Sequence, residues 1–312
     1  MNKIYDLVII GAGPAGLTAS IYASRYKVNN LVIGSQFESY AFKAHKICNF
    51  PTEMEITGPD LIKKIYDHAQ TLGGEIIMDN VLRIESAAGE TGNYKITTQN
   101  KGEFLARAII IASGSKHCNL GLSNEEEFIG KGVSYCASCD AMFFKNKVVA
   151  VVGGSDSANT TSLYLAKIAQ KVYQIYRKEK LRGEVAWIDQ ISQTPNIEVI
   201  YNSNVVELIG DKKLEKIVLD QEFNGSNELK VDGFFIAIGC VPDKALFEKL
   251  GVASDEKGYI KVGRDQKTNI AGIWAAGDVT DGSNNFRQII TACAEGAVAA
   301  QDIYTWLQAQ KK

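Results

Sequence analysis

Twice in this chain a short apolar run passes straight into a glycine loop and then into a helical pattern. Leu7-Val8-Ile9-Ile10 enters Gly11-Ala12-Gly13-Pro14-Ala15-Gly16, an Ala-rich helix follows to about Tyr26, and Leu31-Val32-Ile33 is the next strand. Val148-Val149-Ala150-Val151-Val152 enters Gly153-Gly154-Ser155-Asp156-Ser157-Ala158, a helix runs to about Ile168, and Val172 to Tyr176 is again a strand. Strand, glycine turn and helix in this order form the βαβ opening of a doubly wound nucleotide-binding fold. We therefore expect an α/β protein with two tandem Rossmann-like nucleotide-binding domains, related by internal duplication.

In the first loop each glycine has a separate task. Gly11 makes the tight turn, Gly13 lets backbone approach a pyrophosphate, and Gly16 permits close packing of helix on strand. The helix N-terminus then offers its positive end to the phosphates. The acid that would close the second strand on a ribose is missing, because Gly34 and Ser35 stand there. Further along, Gly58-Pro59-Asp60 starts a helix to about Leu72, with Pro suited to a first helical turn. Short strands are expected at Glu75–Met78, Val81–Ser86, Tyr94–Thr97 and Glu103–Leu105, and a separate buried strand at Ala108–Ala112. In the second half, strands are expected around Val199, Val205, Ile217 and Leu229 and at Phe234–Gly239. Gly272 to Asp278 and a long helix from about Gln288 complete the chain.

A chain of 312 residues holds two domains with real cores. A net charge of −2 supplies no basic field for nucleic acid, and no apolar stretch approaches the roughly 20 residues that span a membrane. The N-terminus reads directly into the first strand, so no signal peptide is expected. Scattered single cysteines (Cys48, Cys118, Cys240 and Cys293) are expected as buried small apolar residues of a reducing, cytoplasmic compartment.

The two remaining cysteines lie in Ser134-Tyr135-Cys136-Ala137-Ser138-Cys139-Asp140. Two thiols at this spacing close a reducible disulfide, and an adjacent acid holds or delivers a proton during exchange. Half of a zinc knuckle is the other reading, but zinc takes four ligands and no second Cys or His pair follows at a suitable spacing. The motif is read as redox-active, with no metal.

The order of the first glycine loop, Ala112-Ser113-Gly114, Cys136-Ala137-Ser138-Cys139-Asp140, the second glycine loop and Ala275-Ala276-Gly277-Asp278 resembles the low-molecular-weight thioredoxin reductase family over essentially the whole chain. These are FAD-dependent pyridine nucleotide-disulfide oxidoreductases of class II. The resemblance implies a homodimer that passes electrons from reduced FAD through the Cys136–Cys139 disulfide to thioredoxin or a thioredoxin-like protein. It also implies that the central domain, residues 116–242 with the disulfide and an NAD(P)H-binding-like fold, is inserted in an FAD domain formed by residues 1–115 and 243–312. Carried over by motif position, Cys136 attacks the substrate disulfide, Cys139 faces the flavin and Asp140 exchanges the proton. FAD contacts are implied for Gly11, Gly13, Pro14, Ala15, Gly16, Asn49, Ala112, Gly114, Gly277, Asp278, Arg287, Gln288 and Ile289. Gly153, Ser155, Ser157, Ala158, Arg177, Lys178 and Arg182 occupy the positions of the family's NADPH site.

The chain departs from the family pattern in that second site. Ser155 replaces a glycine, Thr160-Thr161 replace two glutamates, and Tyr176-Arg177-Lys178-Glu179-Lys180-Leu181-Arg182 stands where His-Arg-Arg-x-x-x-Arg grips a phosphate. Three cations stay in register, so two readings stand: a phosphate grip or a solvated basic loop. Glu38-Ser39-Tyr40-Ala41 replaces a Gly-Gly-Gln-Leu near the flavin, followed by His45, a candidate proton carrier. Some relatives take electrons from reduced ferredoxin instead of NADPH, and the donor here stays open between the two. A small-molecule dithiol oxidase of the same fold and a flavin redox sensor without turnover are the alternative functions.

Overall fold

The computed structural model describes residues 3–44, 46–87 and 94–310, so His45 lies outside the described residues. The chain forms two compact units, residues 1–116 with 241–312 and residues 117–240.

The first unit opens with β1 (Ile4–Ile10), α1 (Pro14–Arg25), β2 (Asn30–Ile33), α2 (Gly58–Thr71) and β3 (Glu75–Ile77). A meander follows: β4 (Val81–Ser86), β5 (Tyr94–Thr98) and β6 (Glu103–Ile111), leading to the crossing strand β7 (Lys116–His117). The second unit contains α3 (Glu125–Phe128), β8 (Val133–Ser134), α4 (Ala137–Asp140), β9 (Val148–Val152), α5 (Asp156–Ala166), β10 (Lys171–Tyr176) and α6 (Val185–Ser192). It continues through β11 (Ile197–Tyr201), β12 (Val205–Ile209), β13 (Lys216–Phe223), β14 (Ser226–Lys230) and β15 (Gly233–Ile236). The chain returns through β16 (Cys240–Val241), which pairs with β7, and ends with β17 (Ile273–Ala275) and α7 (Ile289–Ala309).

In the first unit the strands run in the order β3-β2-β1-β6, all parallel, with β17 added parallel to β6. The sequence suggests two strands at Glu103–Leu105 and Ala108–Ala112, but β6 is one continuous strand that does two jobs. Its first half pairs antiparallel with β5, and Ile109–Ile111 pair with β17. Arg107 does not break it, since alternation sends the exposed arginine away from the neighbouring buried alanines.

Both sheet faces are covered, as parallel sheets require. Leu7 and Ile9 pack with the α1, α2 and α7 side chains, whereas Val8 and Ile10 pack with Ile84, Tyr94 and Ile96 of the meander. Each such fully buried aliphatic side chain contributes about 1.5–3 kcal/mol. The second unit repeats the plan with sheet order β11-β10-β9-β15-β8 and a separate antiparallel sheet, β12-β13-β14. There Val149 and Val151 face Ala158 and Leu165 of α5, and Ala150 and Val152 face Val205, Leu208 and Ile217 of the meander. Among the described residues no helix is long and apolar enough to cross a membrane.

Candidate functional site

The two glycine loops share one hydrogen-bond skeleton. Gly11 N–H donates to Ile33 O at 2.8 Å and Ala112 N–H to Ile10 O at 2.8 Å; Gly153 N–H donates to Ile175 O at 3.0 Å and Ala237 N–H to Val152 O at 2.9 Å. Gly11 has φ +115°, and a Cβ there would lie 2.2 Å from Ala112 O. Gly153 repeats this with φ +139° and 2.3 Å to Ala237 O. Both turns therefore exclude any side chain at that position.

The loops differ in how space is shared with the next strand end. In the first, Ala12 faces Gly34, where a Cβ would meet Ala12 N at 2.8 Å. In the second, Gly154 makes room for the buried Tyr176 ring, 2.4 Å from the place of a Gly154 Cβ. Bulk has moved from loop to strand end.

Around the first loop the structure assembles most of the expected FAD residues. A Cβ at Gly16 would sit 1.9 Å from Gly11 O, so its absence lets α1 close onto the loop. At Gly13 the nearest atom to a Cβ is Ser39 Cβ at 3.5 Å, which leaves the backbone of the helix start approachable. Pro14 occupies the first turn of α1, and no side chain caps that turn. Gly277 (φ +81°) packs against Ala15, and Gly296 lets α7 reach Ala15 O. Asn49 Nδ2 donates to Gln288 Oε1 at 3.0 Å, bringing two distant candidates together. Ile289 packs into the Ile47, Ile56 and Leu61 cluster, while Gly114 (φ +65°) borders open space.

Asp278 and Arg287 are held differently. Burial pushes the Asp278 carboxyl above its ordinary range; Arg287 opposes this and Glu295 adds to it. No hydrogen-bond donor among the described residues meets that carboxylate. The Arg287 guanidinium lies 3.6 Å over the Tyr259 ring and donates to Thr280 O at 3.2 Å and Asn285 Oδ1 at 2.8 Å. Its Nε is buried without a partner. An open glycine cradle, an uncapped helix start, a carboxylate lacking donors and an orphaned guanidinium N–H fit a large anionic cofactor with hydroxyl groups, as FAD is.

Glu295 escapes a sequence reading although it organises this region. Buried on α7, it accepts from Gly277 N–H at 2.7 Å, Thr280 Oγ1 at 3.1 Å and Ser283 Oγ at 2.5 Å. The available signal is a lone acid within Ala292-Cys293-Ala294-Glu295-Gly296, an otherwise small and apolar stretch.

At the second loop, Ser155 is the N-cap residue of α5, at the position equivalent to Gly13, and its side chain makes no capping hydrogen bond. Arg182 N–H donates to Gly154 O at 2.7 Å, and Asp156 Oδ1 accepts from Glu184 N–H at 2.7 Å. These bonds lay the basic loop across the start of α5, with Arg177, Lys178 and Arg182 exposed. Ser157 lies in the first turn of α5, and Ala158 is fully buried beneath it.

Cys136 and Cys139 form a disulfide. Cys136 is the N-cap of α4, and both Cys139 N–H (3.2 Å) and Asp140 N–H (3.1 Å) donate to its carbonyl. Cys139 is exposed and Cys136 half-buried. Ala137 anchors the turn in the cluster that contains Ala158, so the disulfide rides on the α5 scaffold. Asp140 Oδ2 accepts from Ser134 Oγ at 2.6 Å.

The isolated cysteines correct one expectation. Cys48 is exposed, and Cys118 and Cys293 are partly exposed rather than fully buried. Cys48 lies on the surface loop between the buried Ile47 and the half-buried Phe50. The Cys240 side chain lies outside what is described.

A sequence profile of the pyridine nucleotide-disulphide oxidoreductase family matches residues 5–296. The chain is 39% identical to a thioredoxin reductase of Listeria innocua, across 100% of this chain and 96% of that protein. Among solved structures it is similar to the thioredoxin reductase of Lactococcus lactis, with 37% identity, TM-score 0.91 and coverage of 98% and 99% of the two chains. A ferredoxin-flavin thioredoxin reductase of Clostridium acetobutylicum also matches, at 32% identity, TM-score 0.53 and coverage of 99% and 100%. The motif order, the duplicated glycine-loop skeleton and these full-length likenesses agree, and the chain belongs to the pyridine nucleotide-disulphide oxidoreductase family.

Proposed function

We propose that this chain is an FAD-dependent thioredoxin-disulfide reductase that acts on thioredoxin or a thioredoxin-like protein. The carrying observation is the Cys136–Cys139 disulfide, closed at the start of a helical turn that ends in Asp140. Residues 1–115 and 243–312 are assigned to FAD binding, and 116–242 to the disulfide and the second nucleotide fold. A homodimer and a cytoplasmic location go with this reading.

FAD would be held by the Gly11–Gly16 loop, Asp278 and the Arg287–Ile289 helix start, and when bound it supplies the electron pair that reduces the disulfide. The chain's own residues do the rest. Cys136, as thiolate, attacks the partner's disulfide and forms a mixed disulfide; Cys139 then attacks Cys136 Sγ and releases the reduced partner. Asp140 takes the Cys136 proton and returns it to the leaving thiolate.

The electron donor is NADPH or reduced ferredoxin. The intact second-loop skeleton and the exposed Arg177, Lys178 and Arg182 support the nucleotide. Ser155 at the close-approach position supports ferredoxin. Anaerobic titration followed by flavin absorbance separates them, with oxidised thioredoxin added afterwards. Bleaching by NADPH assigns the nucleotide; bleaching only by reduced ferredoxin assigns the protein donor. A flavin that is reduced yet leaves thioredoxin oxidised overturns the reading, and oxygen uptake driven by a dithiol would replace it with dithiol oxidation.

A further inference from the structure

We infer that Ser134 is a positioning residue of the disulfide exchange, aiming the Asp140 carboxylate and fixing the backbone of Cys136 through one hydroxyl. This rests on the reductase reading above and adds a residue to it.

Ser134 ends β8, where it lies in parallel register with Phe235 of β15, and it is 5% exposed. Its Oγ donates to Asp140 Oδ2 at 2.6 Å and accepts from Cys136 N–H at 3.0 Å. A hydroxyl has one proton to give. Of the two acceptors in reach, Asp140 Oδ2 at 2.6 Å and Cys136 O at 3.3 Å, the nearer carboxylate oxygen takes it, and a lone pair takes the Cys136 amide. One sheet-anchored oxygen therefore touches both ends of the motif. That matters because α4 is a single turn, too short to hold its own geometry. Ala137 fixes it by packing on one side; Ser134 fixes it by hydrogen bonding on the other.

The division of Asp140's oxygens follows. Oδ2 is engaged by Ser134, which leaves Oδ1 to exchange a proton. A proton on Oδ1 still permits Ser134 to donate to Oδ2, so the contact persists whether Asp140 is ionised or neutral. Ser134 thus orients the acid throughout the cycle and carries no proton itself.

The balanced sequence is as follows. The Cys136 thiol gives its proton to Asp140 Oδ1, and the thiolate bonds to one sulfur of the partner disulfide. The partner's S–S bond breaks, and its leaving thiolate takes the proton from Asp140. Cys139, giving up its own proton, then bonds to Cys136 Sγ, and the second partner sulfur leaves and is protonated. Two enzyme thiols are oxidised and one partner disulfide is reduced.

The test is a double-mutant cycle on the holoprotein. Pre-reduced wild type, S134A, D140N and the S134A/D140N pair are mixed with the small disulfide DTNB, and separately assayed with oxidised thioredoxin. S134A is expected to slow exchange about tenfold at unchanged KM, a part of what general acid–base help supplies, and to add nothing in the D140N background. S134T is expected to restore at least half of the rate, whereas S134V, of the same shape without the hydroxyl, stays as slow as S134A. Equal loss from S134A with and without Asp140, or S134V as fast as S134T, overturns the assignment. The Thr and Val pair keeps the test readable if the alanine variant does not fold. Reaction with DTNB needs no thioredoxin, so a protein that fails to reduce thioredoxin yet shows the coupling sinks the substrate reading and spares Ser134.

Discussion

Glu295 accepts the backbone N–H of Gly277 at 2.7 Å, tying the last helix to the turn that presents Asp278. Thr280 and Ser283 donate to the same buried carboxylate. Removing it leaves the Gly277 N–H and the Ser283 hydroxyl without this acceptor, while Thr280 Oγ1 keeps Gly277 O at 3.0 Å. Glu295→Ala should cost about 2–4 kcal/mol in denaturant unfolding of the flavin-free protein. It should also release flavin on dilution, read as a rise in free FAD fluorescence.

Two glycines three residues apart, Gly13 and Gly16, should fail for different reasons. A Cβ at Gly16 would strike Gly11 O at 1.9 Å, whereas one at Gly13 meets only Ser39 Cβ at 3.5 Å. Gly16→Ala should therefore destabilise the flavin-free fold by roughly 2–3 kcal/mol or more through overpacking. Gly13→Ala should keep its melting temperature while losing flavin affinity about tenfold, because the methyl stands where the cofactor backbone contact forms. Calorimetry and FAD titration on both variants check the contrast.

Asp278 gives a pH dependence with a definite sign. Burial, aided by Glu295 and opposed by Arg287, raises its folded-state pKa. Between an unfolded value of about 3.9 and the raised folded value, the native state binds more protons, so stability contributed here is full at low pH and lost as pH rises. Asp278→Asn should therefore make the flavin-free protein more stable at pH 7 and change little below about pH 4. The same variant should hold FAD less well, since a carboxylate suited to ribityl hydroxyls is gone. Urea unfolding at the two pH values, paired with FAD titration, decides it.

The two cysteines should part company when replaced singly. With Cys136 attacking and Cys139 resolving, Cys139→Ser should accumulate a mixed disulfide with oxidised thioredoxin, visible on a non-reducing gel. Cys136→Ser should form none, and both should lower thioredoxin turnover by at least about a thousandfold. Trapping by Cys136→Ser instead would reverse the two roles.

Much of this was legible beforehand because it is local. Gly11 and Gly153 announce their turns through the strands that precede them, and Cys136 to Asp140 carry their chemistry within one helical turn. Family resemblance placed Asn49, Gln288 and Asp278 in one list, and the structure joins Asn49 to Gln288 directly. Less visible was that β6 runs unbroken, since its two halves have different partners and read as two separate strands.

By itself the sequence determined the backbone turns and the reactive pair, because steric limits on φ and ψ and the reach of neighbouring thiols act within a few residues. Only the tertiary structure decided who supports them. It set the Glu295 carboxylate under Gly277, the Tyr259 ring beneath Arg287, the Ser134 hydroxyl against Asp140, and the exchange of bulk between Ala12 with Gly34 and Gly154 with Tyr176. Those contacts depend on which faces of separate strands and helices come to rest on each other, and burial then fixes their strength by removing the competing water.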